Sequence, residues 1–204
     1  MFEDIYMTAQ RFKDEEYREL VSRILLDNRE KLLYWPAAKT NHHAYKGGLL
    51  YHVFRMMKTG EALCDIYSVL DRDLLLTGII LHDIEKLSEY ESLQNGMVEK
   101  YTVQGNLIGH LVMGVNKIEK YAEELGMTTE KKMLVEHMLL SHHGQYEFGS
   151  PVLPAFPEAK ALHYIDNIDA KLEMMENELQ SLGEGQISDK RFFGIDNSYL
   201  YRHK

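Results

Sequence analysis

Residues 74–90 read LLLTGIILHDIEKLSEY, an apolar run that ends in a histidine and an aspartate. A run this apolar is typical of a helix that is buried on every side. An imidazole and a carboxylate at the end of such a helix are costly to bury unless they bind something. The stretch therefore predicts a core helix that presents His82 and Asp83 to a buried site.

The helical period extends along the chain on both sides of this stretch. We expect the helix itself to begin at Asp73, a good N-cap residue, and to run to Lys86. Apolar residues recur at steps of three and four from Leu107 to Leu125, which predicts a long helix with Leu107 on its inward face. The predicted fold class is therefore all-α, a mainly helical bundle.

One segment departs from the helical period. Residues 89–103, EYESLQNGMVEKYTV, have strand-forming residues on both sides of Asn95 and Gly96. An Asn-Gly pair is a strong signal for a two-residue hairpin turn. We therefore expect one small β-hairpin between two of the helices.

A chain of 204 residues suits one domain with short additions. We divide it into a helical segment over residues 1–36 that packs on the core, a central domain over 37–182, and a tail over 183–204. The tail turns aromatic in FFGIDNSYLY, at 192–201. It either packs back on the helices or forms a contact in a homo-oligomer.

Composition and charge exclude several classes of protein. No stretch approaches the roughly 20 apolar residues that span a bilayer, and the acidic start lacks the apolar core of a secretion signal. The only cysteine, Cys64, allows no internal disulfide. We therefore expect a cytoplasmic protein with no membrane partner. The net charge of −9 disfavours non-specific binding to nucleic-acid backbones.

Several of the ten histidines fall on inward helix faces. His52 follows Leu49 by three residues, which places it on the apolar stripe of its helix. His110 and Asp166 hold similar positions, and His142-His143 closes another helix. Taken singly, each has a simpler interpretation: a core histidine with a hydrogen bond, an aspartate in an ion pair, or a His-His pair that favours the helix dipole.

Taken together, the simpler interpretations require many separately satisfied polar groups in one small core, which is costly. A shared divalent cation satisfies them all. Imidazole and carboxylate suit Mn, Fe, Co, Ni or Zn, and the lack of ligand cysteines disfavours a structural zinc site. Two such cations can activate water and promote displacement at phosphorus. The predicted ligands are His52, His82, Asp83, His110, His142, His143 and Asp166.

The order of these residues resembles a known signature. His52, His82-Asp83 and Asp166 are similar to the H…HD…D pattern of HD-domain metal-dependent phosphohydrolases. From about residue 37 onward, most of the chain also resembles the HD domain of YhaM-type 3′-to-5′ exoribonucleases. The segments that carry this resemblance include NHHAYKGGLLYHVFRM at 41–56, LHDIEKLSEY at 81–90, GHLVMG at 109–114, LSHHGQYEFGSPVLPAFPEAKALHYIDNIDAK at 140–171 and FFGIDNSYLY.

The resemblance implies one or two divalent ions (Mn, Fe, Ni, Co, Zn or Mg) in an HD fold. One ion would be held by His52, His82, Asp83 and Asp166. Asp83 would bridge to a second ion, held by His110 and by His142, His143 or both. Of that last pair we favour His142.

The resemblance also implies roles for residues that contact substrate. Lys86 follows the His-Asp pair and would neutralise a substrate phosphate, which is compatible with a cation that favours a helix dipole. His43 would contact substrate, although a hydrogen bond within its loop explains it equally well. The predicted catalytic residues are thus Asp83 and Lys86, and the predicted substrate contacts are His43 and Lys86.

Two features depart from the family pattern. Glu85 stands where such motifs usually have glycine, and its carboxylate could face solvent, pair with Lys86 or repel an incoming phosphate. The exoribonucleases also carry an N-terminal OB-type domain, for which the roughly 36 residues ahead of the resemblance are too few.

We therefore predict a metal-dependent phosphohydrolase that cleaves phosphoester bonds of a nucleotide or short oligonucleotide with metal-activated water. One alternative is a 3′-to-5′ exoribonuclease on single-stranded RNA, in which a partner or an oligomer supplies the RNA groove. Another is a catalytically silent module that binds a nucleotide. Glu85 favours the silent module, and the intact ligand set disfavours it.

Overall fold

The computed structural model describes residues 1–37, 45–92 and 98–204. Two short strands, β1 (Tyr90–Ser92) and β2 (Val98–Tyr101), pair antiparallel. The predicted helical fold with one small β-hairpin is therefore confirmed, although Asn95 and Gly96 lie outside the described residues. The helices in chain order are α1 (Phe2–Gln10), α2 (Glu15–Asp27), α3 (Arg29–Leu32), α4 (Gly48–Ile66), α5 (Arg72–Leu81), α6 (Lys86–Glu89), α7 (Val103–Leu125), α8 (Thr129–Ser141) and α9 (Pro157–Leu179), with short 3-10 helices at Tyr146–Phe148 and Phe193–Ile195.

The apolar helix α5 lies at the centre of the fold. Its residues from Asp73 to Leu81 are all buried, and it packs against α2, α4, α8 and α9. Glycine lets α4 approach closely, because a Cβ at Gly60 would lie 2.6 Å from Ile79 Cδ1. The site that follows α5 is therefore attached to a closely packed helix that is buried on every side.

The N-terminus of α5 differs from the prediction. Asp71, rather than Asp73, is the N-cap, and its carboxylate accepts the backbone N–H groups of Asp73 at 2.9 Å and Leu74 at 3.0 Å. Asp73 instead accepts the N–H groups of Lys13 at 2.6 Å and Asp14 at 2.9 Å. The prediction was wrong because both aspartates suit a cap, and only tertiary contacts distinguish them.

The C-terminus of α5 also differs from the prediction. The helix ends at Leu81 with His82 as its C-cap, and α6 begins only at Lys86. Residues 82–85 form a turn, so the predicted continuous helix to Lys86 was wrong. Adjacent side chains on a helix diverge by about 100°. His82 still has helical φ and ψ angles of −53° and −37°, so its side chain and that of Asp83 leave the backbone in different directions, although their Nε2 and Oδ2 atoms lie 3.2 Å apart.

Helix α7 is interrupted at Gly109, which has φ 75° and ψ 156°. Glycine adopts a positive φ without the steric cost that a Cβ adds. The interruption changes which side chains face inward. Leu107, before it, is 80% exposed, so its predicted inward position was wrong, whereas Ile118 and Ala122, after it, are buried.

The two ends of the chain pack on the same bundle. Helices α1 and α2 bury Ile5, Leu20 and Ile24 completely, and α2 contacts α5 and α7. The C-terminal tail, residues 183–204, is called the strap below. It buries Ile195 and Leu200, and its 3-10 helix contacts α9, so it packs back on the helices. Among the described residues, no helix is long and apolar enough to cross a membrane.

Candidate metal centre

The ligands that the sequence predicts lie together where α5 ends, beside α4, α7, α8 and α9. Every predicted ligand falls in one of three overlapping groups, and within each group the ligand atoms lie within 4.8 Å of one another. The groups are His52 with His82 and Asp83, His82 with His142 and Asp166, and His110 with His142 and His143. This set of residues is called the ligand cluster below.

Asp83 lies within 4 Å of an imidazole from each of the three groups and is almost completely buried. Its Oδ2 atom lies 3.2 Å from Nε2 of His82. Its Oδ1 atom lies 3.4 Å from Nε2 of His110 and 3.7 Å from Nε2 of His142. The two oxygens thus face different imidazoles, which is the arrangement of a carboxylate that can bridge two cations.

Backbone carbonyls orient two of the histidines. Nδ1 of His82 donates to the carbonyl of Ile79 at 2.9 Å, and Nδ1 of His142 donates to the carbonyl of Leu139 at 2.8 Å. A carbonyl oxygen can only accept a hydrogen bond, so Nδ1 carries the proton in each ring. Each Nε2 therefore directs its lone pair into the ligand cluster.

Carboxylates orient two further histidines. Glu89 Oε1 accepts both Nδ1–H of His110 at 3.0 Å and the backbone N–H of His110 at 3.1 Å. Asp169 Oδ2 lies 2.8 Å from Nδ1 of His52, and its other oxygen lies 2.7 Å from Nε of Arg55. Metal-binding histidines usually have such a partner on the second nitrogen, which fixes the ring and raises its basicity.

Glu89 and Asp169 are functional residues that were not predicted from the sequence. Asp169 follows Asp166 by three residues on α9, a spacing that places both near one face of the helix. That spacing could have indicated its role. Glu89 has no comparable signal, because its contact with His110 depends on the interruption of α7 at Gly109.

The donor atoms of the ligand cluster fit bound cations. Within the described residues, Nε2 of His82, Nε2 of His110 and Oδ1 of Asp83 are buried and make no hydrogen bond of good geometry. Buried polar atoms nearly always have a partner. Imidazole nitrogen and carboxylate oxygen together are the donors that divalent transition metals prefer. The cluster can therefore hold a divalent metal ion.

The charges of the site keep its acids ionised. Burial by itself would raise the pKa of Asp83, but the positive charge of Lys86 holds that pKa well below its ordinary value. Burial acts in the same way on Asp166, and the hydrogen bond from His52 lowers the pKa of this carboxyl. Both carboxylates are thus in the form that binds cations.

The histidines differ in charge. Burial holds the pKa of His142 well below its ordinary value and lowers that of His143, so both rings are neutral at pH 7. Burial also acts to lower the pKa of His52, but hydrogen bonds with Asp166 and Asp169 raise it to about 9. Because a cation binds only the neutral ring, binding at His52 releases a proton.

The two predicted substrate contacts have different outcomes. Lys86 is buried, and its Nζ lies 2.7 Å from Oδ2 of Asp83. Its position is fixed by Trp35, whose Nε1–H donates to the carbonyl of Lys86 at 2.8 Å. His43 lies outside the described residues.

Glu85 has a partner that the sequence did not suggest. It is buried rather than exposed, and it pairs with Lys117 of α7 rather than with Lys86. Lys117 neutralises the carboxylate, so Glu85 does not present an unpaired negative charge to an incoming phosphate. Two of the alternatives, exposure to solvent and pairing with Lys86, were wrong because the actual partner, Lys117, is distant in the sequence.

A cleft of about 630 Å³ opens onto the ligand cluster. Asp83, His142 and Asp166 line it together with Lys86 and His143. Other segments complete its lining, including α9, the 3-10 helix before α9 and the strap. The residues they contribute are Phe148, His163, Asn167, Ala170, Lys171, Met174, Phe193 and Gly194.

His143 and His163 connect the ligand cluster to this cleft. Nδ1 of His143 donates to the carbonyl of Phe148 at 2.9 Å, so its Nε2 is free to face the cluster. Nδ1 of His163 donates to the carbonyl of His142 at 2.9 Å. The ring of His163 packs against Gly144, where any Cβ would collide with it. His163 is a cleft residue that the sequence analysis missed.

Much of this chain is similar in sequence to known proteins. A family model described as HD domain matches residues 49–171. The 3′-5′ exoribonuclease YhaM of Bacillus pumilus is 42% identical over 190 residues, which are 93% of this chain and 59% of the relative. The Bacillus subtilis protein of that name is 42% identical over 183 residues, 89% of this chain and 57% of the relative.

The Bacillus velezensis protein of the same name is 38% identical over 202 residues, which are 99% of this chain and 63% of the relative. The chain thus spans about three fifths of the length of the curated relatives it matches. No solved structure matches the chain at a significant level.

Proposed function

This chain belongs to the HD-domain family of metal-dependent phosphohydrolases, and on that premise we propose that it hydrolyses the phosphodiester bond at the 3′ end of a short single-stranded oligonucleotide. The observation that carries the proposal is the convergence of the ligand cluster on Asp83 at the inner end of a cleft. The names of the relatives supply the polarity of the reaction and RNA as the substrate class.

We assign the ligands to two cations. One of them would be held by His52, His82, Asp83 and Asp166. The other would be held by Asp83, His110, His142 and His143. The two differently directed oxygens of Asp83 support two ions rather than one. The excess of imidazole over carboxylate favours Mn, Fe, Co, Ni or Zn over Mg.

Divalent cations in these positions supply Lewis-acid activation of water and neutralise charge on the phosphoryl oxygens. The residues of the chain perform the remaining tasks. Asp83 fixes the spacing between the two groups of ligands. Lys86, held against Asp83, binds a phosphoryl oxygen and stabilises the negative charge that develops on it. Asp169 and Glu89 keep the rings of His52 and His110 in the orientation that binding requires.

A mononucleotide is the second candidate substrate. The cleft volume of about 630 Å³ lies within the range of small-molecule sites. The net charge of −9 gives the chain little general attraction for a long RNA backbone. The silent module loses its main support, because Lys117 neutralises the Glu85 carboxylate that suggested it.

A substrate panel tests the proposal. Protein loaded with Mn²⁺, with its metal content measured, is incubated with a 5′-labelled single-stranded RNA, the same RNA in a duplex, and a set of nucleoside monophosphates. We expect the single strand to be shortened from its 3′ end and the duplex to resist. Release of phosphate from mononucleotides alone would favour the second candidate. Absence of hydrolysis with metal demonstrably bound would refute both.

A further inference from the structure

The outer part of the cleft includes strap residues, which lie beyond residues 49–171 matched by the family model. The strap contributes Phe193, whose side chain is 93% exposed. Phe148, from the segment that precedes α9, lines the same cleft and is 58% exposed. Two exposed aromatic side chains from separate segments thus border one cleft that leads to the ligand cluster.

The backbone that follows Phe193 is held in place. Gly194 packs on Met174 of α9, where a Cβ would lie 2.8 Å from the methionine sulfur. Ile195 is buried, and Asp196 accepts a hydrogen bond from Nζ of Lys171 at 2.6 Å. The strap therefore keeps the Phe193 backbone in a fixed position while its ring stays in solvent.

Helix α9 connects the two parts of the cleft. It lines the cleft with residues separated by steps of one and three, which places them along one side of the helix: Asp166, Asn167, Ala170, Lys171 and Met174. At about 1.5 Å per residue, Asp166 and Met174 are roughly 12 Å apart along the axis. A phosphate at Asp166 therefore leaves room along α9 for a sugar and a base.

We propose that Phe193, assisted by Phe148, stacks on the base of the 3′-terminal nucleotide while the scissile phosphodiester lies at the ligand cluster. The proposal rests on the proposed function and adds the part of the substrate that the strap recognises. Aromatic stacking tolerates every base, because every base has a π face. Stacking also requires an unpaired nucleotide, which selects single-stranded ends over duplexes.

Recognition of a base by uncharged side chains agrees with the distribution of charged residues in the cleft. Lys171 is the cation nearest the strap among the cleft residues, and its charge is paired with Asp196. Phosphate contacts are thus concentrated at Lys86 and the ligand cluster, and the strap contributes apolar surface. Such a cleft binds the terminal nucleotide without a strong electrostatic attraction for a long RNA backbone.

Equilibrium binding tests the proposal without depending on hydrolysis. The Mn²⁺-loaded full chain is titrated calorimetrically with AMP and with ribose 5-phosphate, which lacks the base. Wild-type protein is expected to bind AMP about tenfold more tightly. Phe193→Ala is expected to remove most of that difference, and Phe193→Trp is expected to keep it.

Two further variants complete the test. Phe148→Ala is expected to reduce the difference in the same direction. Tyr199→Ala changes another exposed aromatic of the strap, one that does not line the cleft, and is expected to leave both affinities unchanged. Equal binding of the two ligands by wild-type protein, or an equal loss of both in Phe193→Ala, would overturn the proposal.

The kinetic form of the experiment separates this proposal from the proposed function. If the RNA is hydrolysed, Phe193→Ala should raise its KM about tenfold with little change in kcat. An RNA with an abasic 3′-terminal nucleotide should have the same KM with wild-type protein and with Phe193→Ala. Absence of any hydrolysis would refute the proposed function, while the AMP titration would still decide whether Phe193 binds a base.

Discussion

The ligand cluster and the strap border the same cleft, but they are built in opposite ways. In the cluster, contacts fix the side chains themselves, as the carbonyl of Ile79 fixes the ring of His82. In the strap, contacts fix the backbone around Phe193 and leave its ring exposed. Chemistry at phosphorus needs ligand atoms at set positions, whereas stacking on a base tolerates some movement. Substitutions should therefore reduce activity strongly in the ligand cluster and by smaller amounts in the strap.

Asp83→Asn should have the largest effect. The amide keeps the shape of Asp83 but removes the negative charge, which faces His82 on one side and His110 on the other. We expect kcat/KM on single-stranded RNA to fall about a thousandfold, because several kcal/mol of charge stabilisation depends on cations that Asp83 helps to hold. Elemental analysis should show fewer than two metal ions per chain.

The control for this variant is Asp65→Asn, a substitution at the end of α4 outside the cleft. It should leave both activity and metal content unchanged. If Asp83→Asn retained full activity with a full complement of metal, the ligand cluster would not be the catalytic site, and the comparison with the strap would have no basis.

The ion pair of Glu85 and Lys117 tests how firmly the turn after α5 is held. Both side chains are largely buried, and removal of one partner leaves the other charge unpaired. Lys117→Met should lower the free energy of unfolding by about 3 kcal/mol. Guanidinium titration in excess Mn²⁺, followed by the fluorescence of Trp35, the single tryptophan, measures this change.

A double variant separates the pair from simple loss of packing. Glu85→Gln in the Lys117→Met background removes the unpaired carboxylate and should recover most of the lost stability. If Lys117→Met were as stable as the wild type, the ion pair would not be what holds this turn against α7.

Glu89→Ala should have the next largest effect. Glu89 fixes both the ring and the backbone N–H of His110. Loss of such an orienting partner typically weakens metal binding by about 10- to 100-fold. Calorimetric titration of metal-free protein with Mn²⁺ measures the change. Glu91→Ala removes a neighbouring exposed carboxylate that pairs with Lys100, and it should bind Mn²⁺ as the wild type does.

The sequence is informative for residues whose burial depends only on the helix face that they occupy. A period of 3.6 residues places His52 on the inward face of α4, and the apolar run before His82 shows that His82 and Asp83 end a core helix. The order of these residues then suffices to predict a shared cation, and the structure brings them together.

The sequence was uninformative where contacts between distant segments decide. Nothing local shows that Gly109 adopts a positive φ, yet this exposes Leu107 and places His110 beside Glu89. The partner of Glu85 is equally hidden, because Lys117 approaches it only after α7 packs beside α6. Such features follow from packing, and no sequence pattern of single elements carries them.

The smallest predicted effect is in the strap, at the ion pair between Lys171 and Asp196. Asp196 has φ 51°, a left-handed conformation that asparagine also tolerates, so Asp196→Asn removes the charge without straining the backbone. Asp196 is 71% exposed, and exposed ion pairs contribute little to stability. We expect KM for RNA to rise about two- to threefold, with kcat unchanged, because Phe193 is then held less firmly. The same rise should appear in wild-type protein at high salt, which screens the pair. A fall in kcat of about tenfold or more would mean that the strap positions the reacting groups themselves, and the distinction between a fixed cluster and a tolerant strap would be wrong.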